Sequence, residues 1–236
     1  MSPARKTRIL VVDDHPMVRD GLIRLISKEQ DLMCCGEAGT AAEAQAAVAK
    51  HRPDLVILDL RLKSGDGLEL IKCLKGLRPD LRILILTQYD APLYAERALR
   101  AGALGYLIKD QAADEVLNAI RTVLSGEIYL TRAMAGLMLH KMVGATGKQP
   151  RAGVDQLTGV EQLTDRELHV LQLLGAGLST REIATCLKIS FKTIETHREN
   201  IKFKLGLQNA AELVHFATNW ASQQGSLPEE GLPAAC

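Results

Sequence analysis

The sequence predicts an open, doubly wound α/β domain with a five-stranded parallel sheet, followed by a smaller all-α domain of four helices. Three observations carry this. Up to about residue 130, short unbroken apolar runs alternate with longer amphipathic stretches; beyond about residue 160 the periodicity is helical throughout. The third is length: 236 residues exceed one ordinary domain of roughly 150 and fall short of two large ones.

The runs ILVV (9–12), LVIL (55–58), ILIL (83–86) and LGYLI (104–108) have no polar alternation, as strands buried on both faces of a parallel sheet require. LMCCGEA (32–38) is the remaining strand. Between them, Val18, Leu22, Leu25 and Ile26 fall on one helical face, and an Ala-rich helix follows at 41–50. Leu68, Ile71, Leu74 and Leu77 form a further face, as do Val116, Ile120 and Val123 with Leu117 and Leu124 beside them. Five β-then-α units result, and they assign residues 1–128 to the first domain.

Residues 129–160 read as a linker that carries a helix, since Met134, Leu137, Met138 and Met142 share a face before the Gly- and Thr-containing stretch from 144. Four helix starts then follow within 161–221. Thr164 with Glu167 and Ser179 with Glu182 fit the capping box, Ser190 opens the third helix, and Asn209 with Glu212 the fourth. The tail, 222–236, has little to bury and is expected to fray.

Composition removes several function classes. Basic and acidic residues number 29 and 28, so no global field favours nucleic acid or membrane. One Trp, four Tyr and three Phe are too few for a module that stacks single-stranded bases. Five cysteines without CxxC spacing suggest neither zinc nor a disulfide framework. No apolar run is long enough for a signal peptide or a bilayer span, and a cytoplasmic protein is expected.

Strand ends carry the chemistry. In a doubly wound sheet the loops at the carboxyl ends form the site. Asp13 and Asp14 follow the first strand, Asp59 the third, Thr87 the fourth and Lys109 the fifth. Three carboxylates together would repel by about 4 kcal/mol per close pair at an effective dielectric near 20, and one lysine neutralises one of them. A divalent cation with oxygen ligands resolves this, and Mg²⁺ keeps open positions for phosphate oxygens. The set fits phosphorylation of a carboxylate: Asp59 as nucleophile, Asp13 and Asp14 on Mg²⁺, Lys109 on the phosphoryl group, Thr87 donating a hydrogen bond to it. Taken singly, each acid reads better as a helix cap and Thr87 as a strand end, but all five at the matching strand ends do not. Dinucleotide and P-loop readings fail, because the first turn is DDHP and MVGATGKQ lacks the first Gly and the final Ser/Thr.

With DD at 13 and 14, DL at 59 and 60, T at 87 and GYLIKD at 105–110, residues 8–126 resemble a response-regulator receiver domain, which is flavodoxin-like. The resemblance implies that a histidine kinase donates the phosphoryl group to Asp59 and that the backbone carbonyl of Arg61 is a further Mg²⁺ ligand. It also implies that Tyr106 changes rotamer when Thr87 is drawn to the phosphoryl group. The chain departs from the usual DxxMPxxxG by reading DLRLKSGDG, with Lys63 in place of the proline.

Residues 163–216 resemble the LuxR-type helix-turn-helix domain almost without gaps, and the two matches together are similar to the NarL/FixJ class of response regulators. Ile183, Ala184 and Leu187 can pack on Ile194, Ile201 and Leu205, leaving another helix face free. On it, Glu195, Thr196 and Glu199 are placed to read base edges in the major groove of double-stranded DNA, with Lys192, Thr193, His197, Arg198 and Lys202 positioning on phosphates. His197 has a second reading as a packing residue. Five basic side chains against two acidic lie within 188–204, an excess that predicts low non-specific affinity for one protomer and a need for two on one site. The resemblance likewise implies a homodimer. Ala211, Leu213, Val214, Ala217 and Trp220 of the last helix are candidates to form it, although half of that strip must cover the core.

The reading is therefore a non-enzymatic, phosphorylation-controlled, DNA-binding transcription regulator. A constitutive DNA-binding protein with the receiver as a dimerisation platform is the alternative. A Mg²⁺-dependent phosphatase is a third, disfavoured because Arg61 stands two residues after Asp59 where a second acid would be needed.

Overall fold

The computed structural model describes residues 5–60, 62, 66–88, 92–111, 113–144 and 159–223. They form two compact units, the first ending at Met138. In the first, the elements run β1 (Thr7–Val12), α1 (Pro16–Ser27), β2 (Leu32–Ala38), α2 (Ala41–His51), β3 (Leu55–Leu58) and α3 (Gly67–Leu77). They continue with β4 (Arg82–Thr87), α4 (Pro92–Ala101), β5 (Gly105–Ile108), α5 (Ala113–Ser125), β6 (Tyr129–Leu130) and α6 (Arg132–Gly144), whose residues from Leu139 fall in the second unit.

All strand pairings are parallel, in the order β2-β1-β3-β4-β5-β6. The sheet has six strands and not the five expected. Two residues are too few to make an apolar run, and β6 exists only because Tyr129 and Leu130 pair with Gly105 and Tyr106. A backbone bond from Tyr129 N to Leu104 O (2.9 Å) and a phenol bond to Glu115 on α5 hold it there. Burial, then the Glu115 bond, push the Tyr129 phenol up to about 12.

Ile9, Val11, Leu55, Ile57, Leu84, Leu86 and Leu107 pack with Leu22 and Ile26 of α1 and Ile120 and Val123 of α5. The alternate residues Leu10, Val12, Val56, Leu58, Ile83 and Ile85 are equally buried, so both faces are covered, and that is why the strands read as unbroken apolar runs. Leu77 departs from its expected face: it ends α3 and is 56% exposed. On α6 Met134 is buried whereas Leu137 is exposed.

Chain order reverses between β1 and β3, which makes the crevice past their carboxyl ends the topological switch point. Asp13 and Asp59 stand on its two sides. α3 begins hard against this point, because a Cβ on Gly67 would lie 2.5 Å from Leu60 Cα, a backbone approach that glycine alone permits.

The second unit holds a 3₁₀ turn (Val160–Gln162), α7 (Asp165–Gly175), α8 (Thr180–Cys186), α9 (Phe191–Leu205) and α10 (Ala210–Gln223). Both capping boxes form, with Thr164 N donating to Glu167 Oε2 and Ser179 N to Glu182 Oε2, each at 2.8 Å. Ser190 Oγ accepts from Thr193 N at 3.1 Å, and Asn209 Oδ1 from Glu212 N at 2.9 Å. Ile183, Ile194 and Ile201 are fully buried between α8 and α9, as the apolar spacing requires. α7 and α10 cross at backbone distance, since a Cβ on Gly175 would meet Ala217 O at 2.5 Å. Leu213, Ala217 and Trp220 cover the core and Ala211 and Val214 remain exposed, so the α10 strip divides between the two roles. The stretch 145–158, which includes most of the Gly-containing linker, and the tail from 224 lie outside the described residues.

Candidate functional site

Three of the five residues expected at the strand ends meet directly. Lys109 Nζ lies 2.6 Å from Asp13 Oδ2 and 2.6 Å from Asp59 Oδ2, and the three side chains are 8%, 2% and 2% exposed. The sheet aligns them: Asp13 follows β1, Asp59 N donates to Val12 O at 2.9 Å, and Lys109 N donates to Thr87 O at 2.8 Å. Asp14 joins the same cluster, in which ligand atoms of Asp13, Asp14, His15 and Asp59 lie within 4.8 Å of one another.

Thr87, the fifth, ends β4 fully buried and pairs in register with Ile108, beside Lys109. Tyr106 is 1% exposed and pairs with Ile85, so strand alternation puts Tyr106 and Thr87 on one face of the sheet. Arg61, whose carbonyl was expected as a metal ligand, and Lys63 lie outside the described residues.

His15 and Arg19 complete the site and were not singled out in the sequence. His15 Nδ1 stands 2.7 Å from Asp14 Oδ1 and 3.2 Å from Asp13 Oδ1, and its backbone N donates to Asp13 Oδ1 at 2.8 Å. Arg19 Nη1 donates to Asp13 O at 2.6 Å while its Nε holds Glu37 at 2.9 Å, fixing the turn after β1. The available signal was adjacency, since DDHP puts an imidazole next to two carboxylates.

Among the described residues three carboxylates face one ammonium here, and the imbalance at nearly dry positions favours a cation. The donors are hard oxygens, which suits Mg²⁺, with Asp13, Asp14 and Asp59 as the residues that would hold it.

The other expected residues lie on α9. Lys192, Thr193, Thr196 and Glu199 are exposed, and Glu195, His197, Arg198 and Lys202 half-buried. Arg198 turns inward, donating to Thr180 Oγ1 at the start of α8 and lying 3.6 Å from Glu195. Lys202 pairs with Glu199 at 2.9 Å, and Lys204 with the buried Glu167 of α7 at 2.6 Å. The Arg198–Thr180 and Lys204–Glu167 bonds tie α9 to α8 and α7.

His197 Nδ1 is buried and has no hydrogen-bond partner among the described residues. Burial, and then the nearby Arg166, hold the imidazole below its ordinary range, with Glu167 opposing. Unfolding releases it to about 6.5, so the unfolded chain binds more protons once pH drops toward that value. The stability that His197 contributes as a neutral ring is complete above about 6.5 and is lost as pH falls through the interval down to its folded value. Urea midpoints of the second unit between about pH 7.5 and 5 should therefore fall with pH, and H197Q should flatten that slope. Equal slopes in both proteins would remove His197 as the cause.

Comparison with known proteins agrees with this geometry. Residues 9–121 match the response regulator receiver domain, and residues 161–217 match the bacterial regulatory proteins of the luxR family. The DNA-binding transcriptional activator DevR/DosR of Mycobacterium tuberculosis is 38% identical over 89% of this chain and 94% of its own length. The oxygen regulatory protein NreC of Staphylococcus carnosus is 35% identical over 89% and 96%. Among solved structures, RcsB from Salmonella enterica serovar Typhimurium, bound to a promoter in the presence of the phosphomimetic BeF3-, superposes with a TM-score of 0.65 at 25% identity, covering 91% of this chain and all of that one. The chain belongs to the response regulators of the NarL class, in which a receiver domain is followed by a LuxR-type helix-turn-helix domain.

Proposed function

We propose that the protein is a transcription regulator whose DNA binding is controlled by phosphorylation of Asp59. The observation that carries this is the Lys109 ammonium at 2.6 Å from both Asp13 and Asp59 in a nearly dry crevice. It holds a carboxylate nucleophile and stands ready for the phosphoryl group.

The donor is a histidine kinase. An Asp59 carboxylate oxygen attacks phosphorus, the P–N bond to the donor imidazole breaks, and its electron pair returns to that ring, which takes up a proton. Mg²⁺, when bound, neutralises charge on the transferring oxygens. Lys109 then exchanges its bond to Asp59 for one to a phosphoryl oxygen, the Thr87 hydroxyl donates to another, and Tyr106, on the same face as Thr87, responds to that movement.

The output is recognition of double-stranded DNA by α9. Glu195, Thr196 and Glu199 read base edges, Lys192, Thr193 and Lys202 meet phosphates, and Arg198 and His197 hold the helix in place. Two protomers on one site supply the affinity that a five-to-two charge excess cannot, and the exposed Ala211 and Val214 of α10 contribute to the pairing. Among the described residues no helix is long and apolar enough to cross a membrane, and a cytoplasmic site of action fits a DNA-binding regulator.

The test is titration of duplex DNA with the full-length protein, with and without beryllofluoride and Mg²⁺. A coupling of about 1 to 3 kcal/mol should tighten binding roughly 5- to 150-fold. Superimposable curves would mean constitutive binding.

A further inference from the structure

The chain contains three phenylalanines, and two of them stand in solvent on a single helix. Phe191 is 50% exposed and Phe203 88%, both on α9. A large apolar side chain left in water forgoes the gain that burial would bring, and the unit has a core in which Phe216 is already partly enclosed. Exposure leaves Phe191 available to a partner of the helix.

Its position says which. Phe191 is the first residue of α9, directly after the Ser190 cap, and lies one turn before Glu195 and two before Glu199. The three form one ridge, with the Glu195 and Glu199 side chains 43% and 66% exposed. Lys192 and Thr193, which follow it in the same turn, are exposed as well. In a recognition helix the N-terminal turn contacts base edges. A phenyl ring offers no donor or acceptor in the plane of a base, and the apolar group that the major-groove edge presents is the thymine 5-methyl. Phe203 is twelve residues on, about 18 Å further along the helix, beyond a groove about 12 Å wide.

We propose that Phe191 is a specificity-determining residue that packs its ring on the 5-methyl of a thymine adjacent to the base pair met by Glu195. This rests on the DNA-binding reading above. It makes the preference of α9 partly apolar, through a contact that no charged residue of the helix can replace.

Duplexes selected from a random pool by the beryllofluoride-treated full-length protein supply the probe. Each thymine of the selected site is then replaced in turn by deoxyuridine, which lacks only the methyl group. Wild type should lose about fivefold in affinity at one thymine of each half-site, the size of a single groove contact. F191A should bind more weakly from the outset and be indifferent to that replacement while responding normally elsewhere. F191L, which keeps an apolar tip, should retain part of the response, and F203A the whole wild-type profile. Because both rings are exposed, circular dichroism of the variants should match wild type. A full wild-type uridine profile in F191A, or no thymine at which wild type responds, overturns the assignment while leaving DNA binding intact. Failure of wild type to select any duplex overturns the DNA-binding reading and this inference with it.

Discussion

Replacing Asp59 by asparagine is expected to abolish incorporation of phosphate from a small phosphodonor in the presence of Mg²⁺, and with it the tightening of DNA binding by beryllofluoride. The carboxamide is nearly isosteric, and at 2% exposure the original side chain leaves no room for a larger one. A neutral amide cannot attack phosphorus, so the loss is complete and not graded. Lys109 keeps Asp13 at 2.6 Å, so the crevice stays assembled and the unfolding midpoint should change little. Radiolabelled phosphate retained by D59N at the wild-type level would move the acceptor to another residue.

The second large effect concerns Lys109. In K109M the ammonium that serves both Asp13 and Asp59 disappears while the carboxylates remain almost dry. Removing one partner of a buried ion pair costs about 3–5 kcal/mol, because it leaves the other charge uncompensated. Urea unfolding in the presence of a chelator should report a loss of that order for the first unit, and millimolar Mg²⁺ should recover part of it by supplying the missing positive charge. Adding D13N to K109M should also recover stability, since it removes a carboxylate the lysine had balanced. An unchanged midpoint in chelator would mean that the carboxylates are not held ionised together.

Most of this crevice was legible because a parallel sheet makes position along the chain equivalent to position in space. Once the four apolar runs are recognised as strands, Asp13, Asp59, Thr87 and Lys109 must share one edge, whatever lies between them. β6 was not legible, since its two residues gain their conformation from Gly105 and Tyr106 and from the Glu115 clasp. Leu77 shows the limit of periodicity: it keeps the helical spacing but falls at the end of α3, where it stays more than half exposed. On α9, spacing separated the buried Ile194 and Ile201 from the free face, yet Arg198 and Thr180 lie 18 positions apart, and no local pattern foretells their bond. His15 was in plain view in DDHP, but its approach to both carboxylates depends on the turn that Arg19 closes.

The two-residue β6 also has a mechanical meaning. The chain leaves the receiver sheet in register with Tyr106, through a strand secured by few bonds, each contributing about 0.5–1.5 kcal/mol. Under tension applied through the chain beyond Leu130, this two-residue edge ladder is expected to part before the four-residue pairings of β3 with β4 and β4 with β5. A tug on the exit therefore falls on the short ladder to which Tyr106 itself belongs, as on a latch and its keeper.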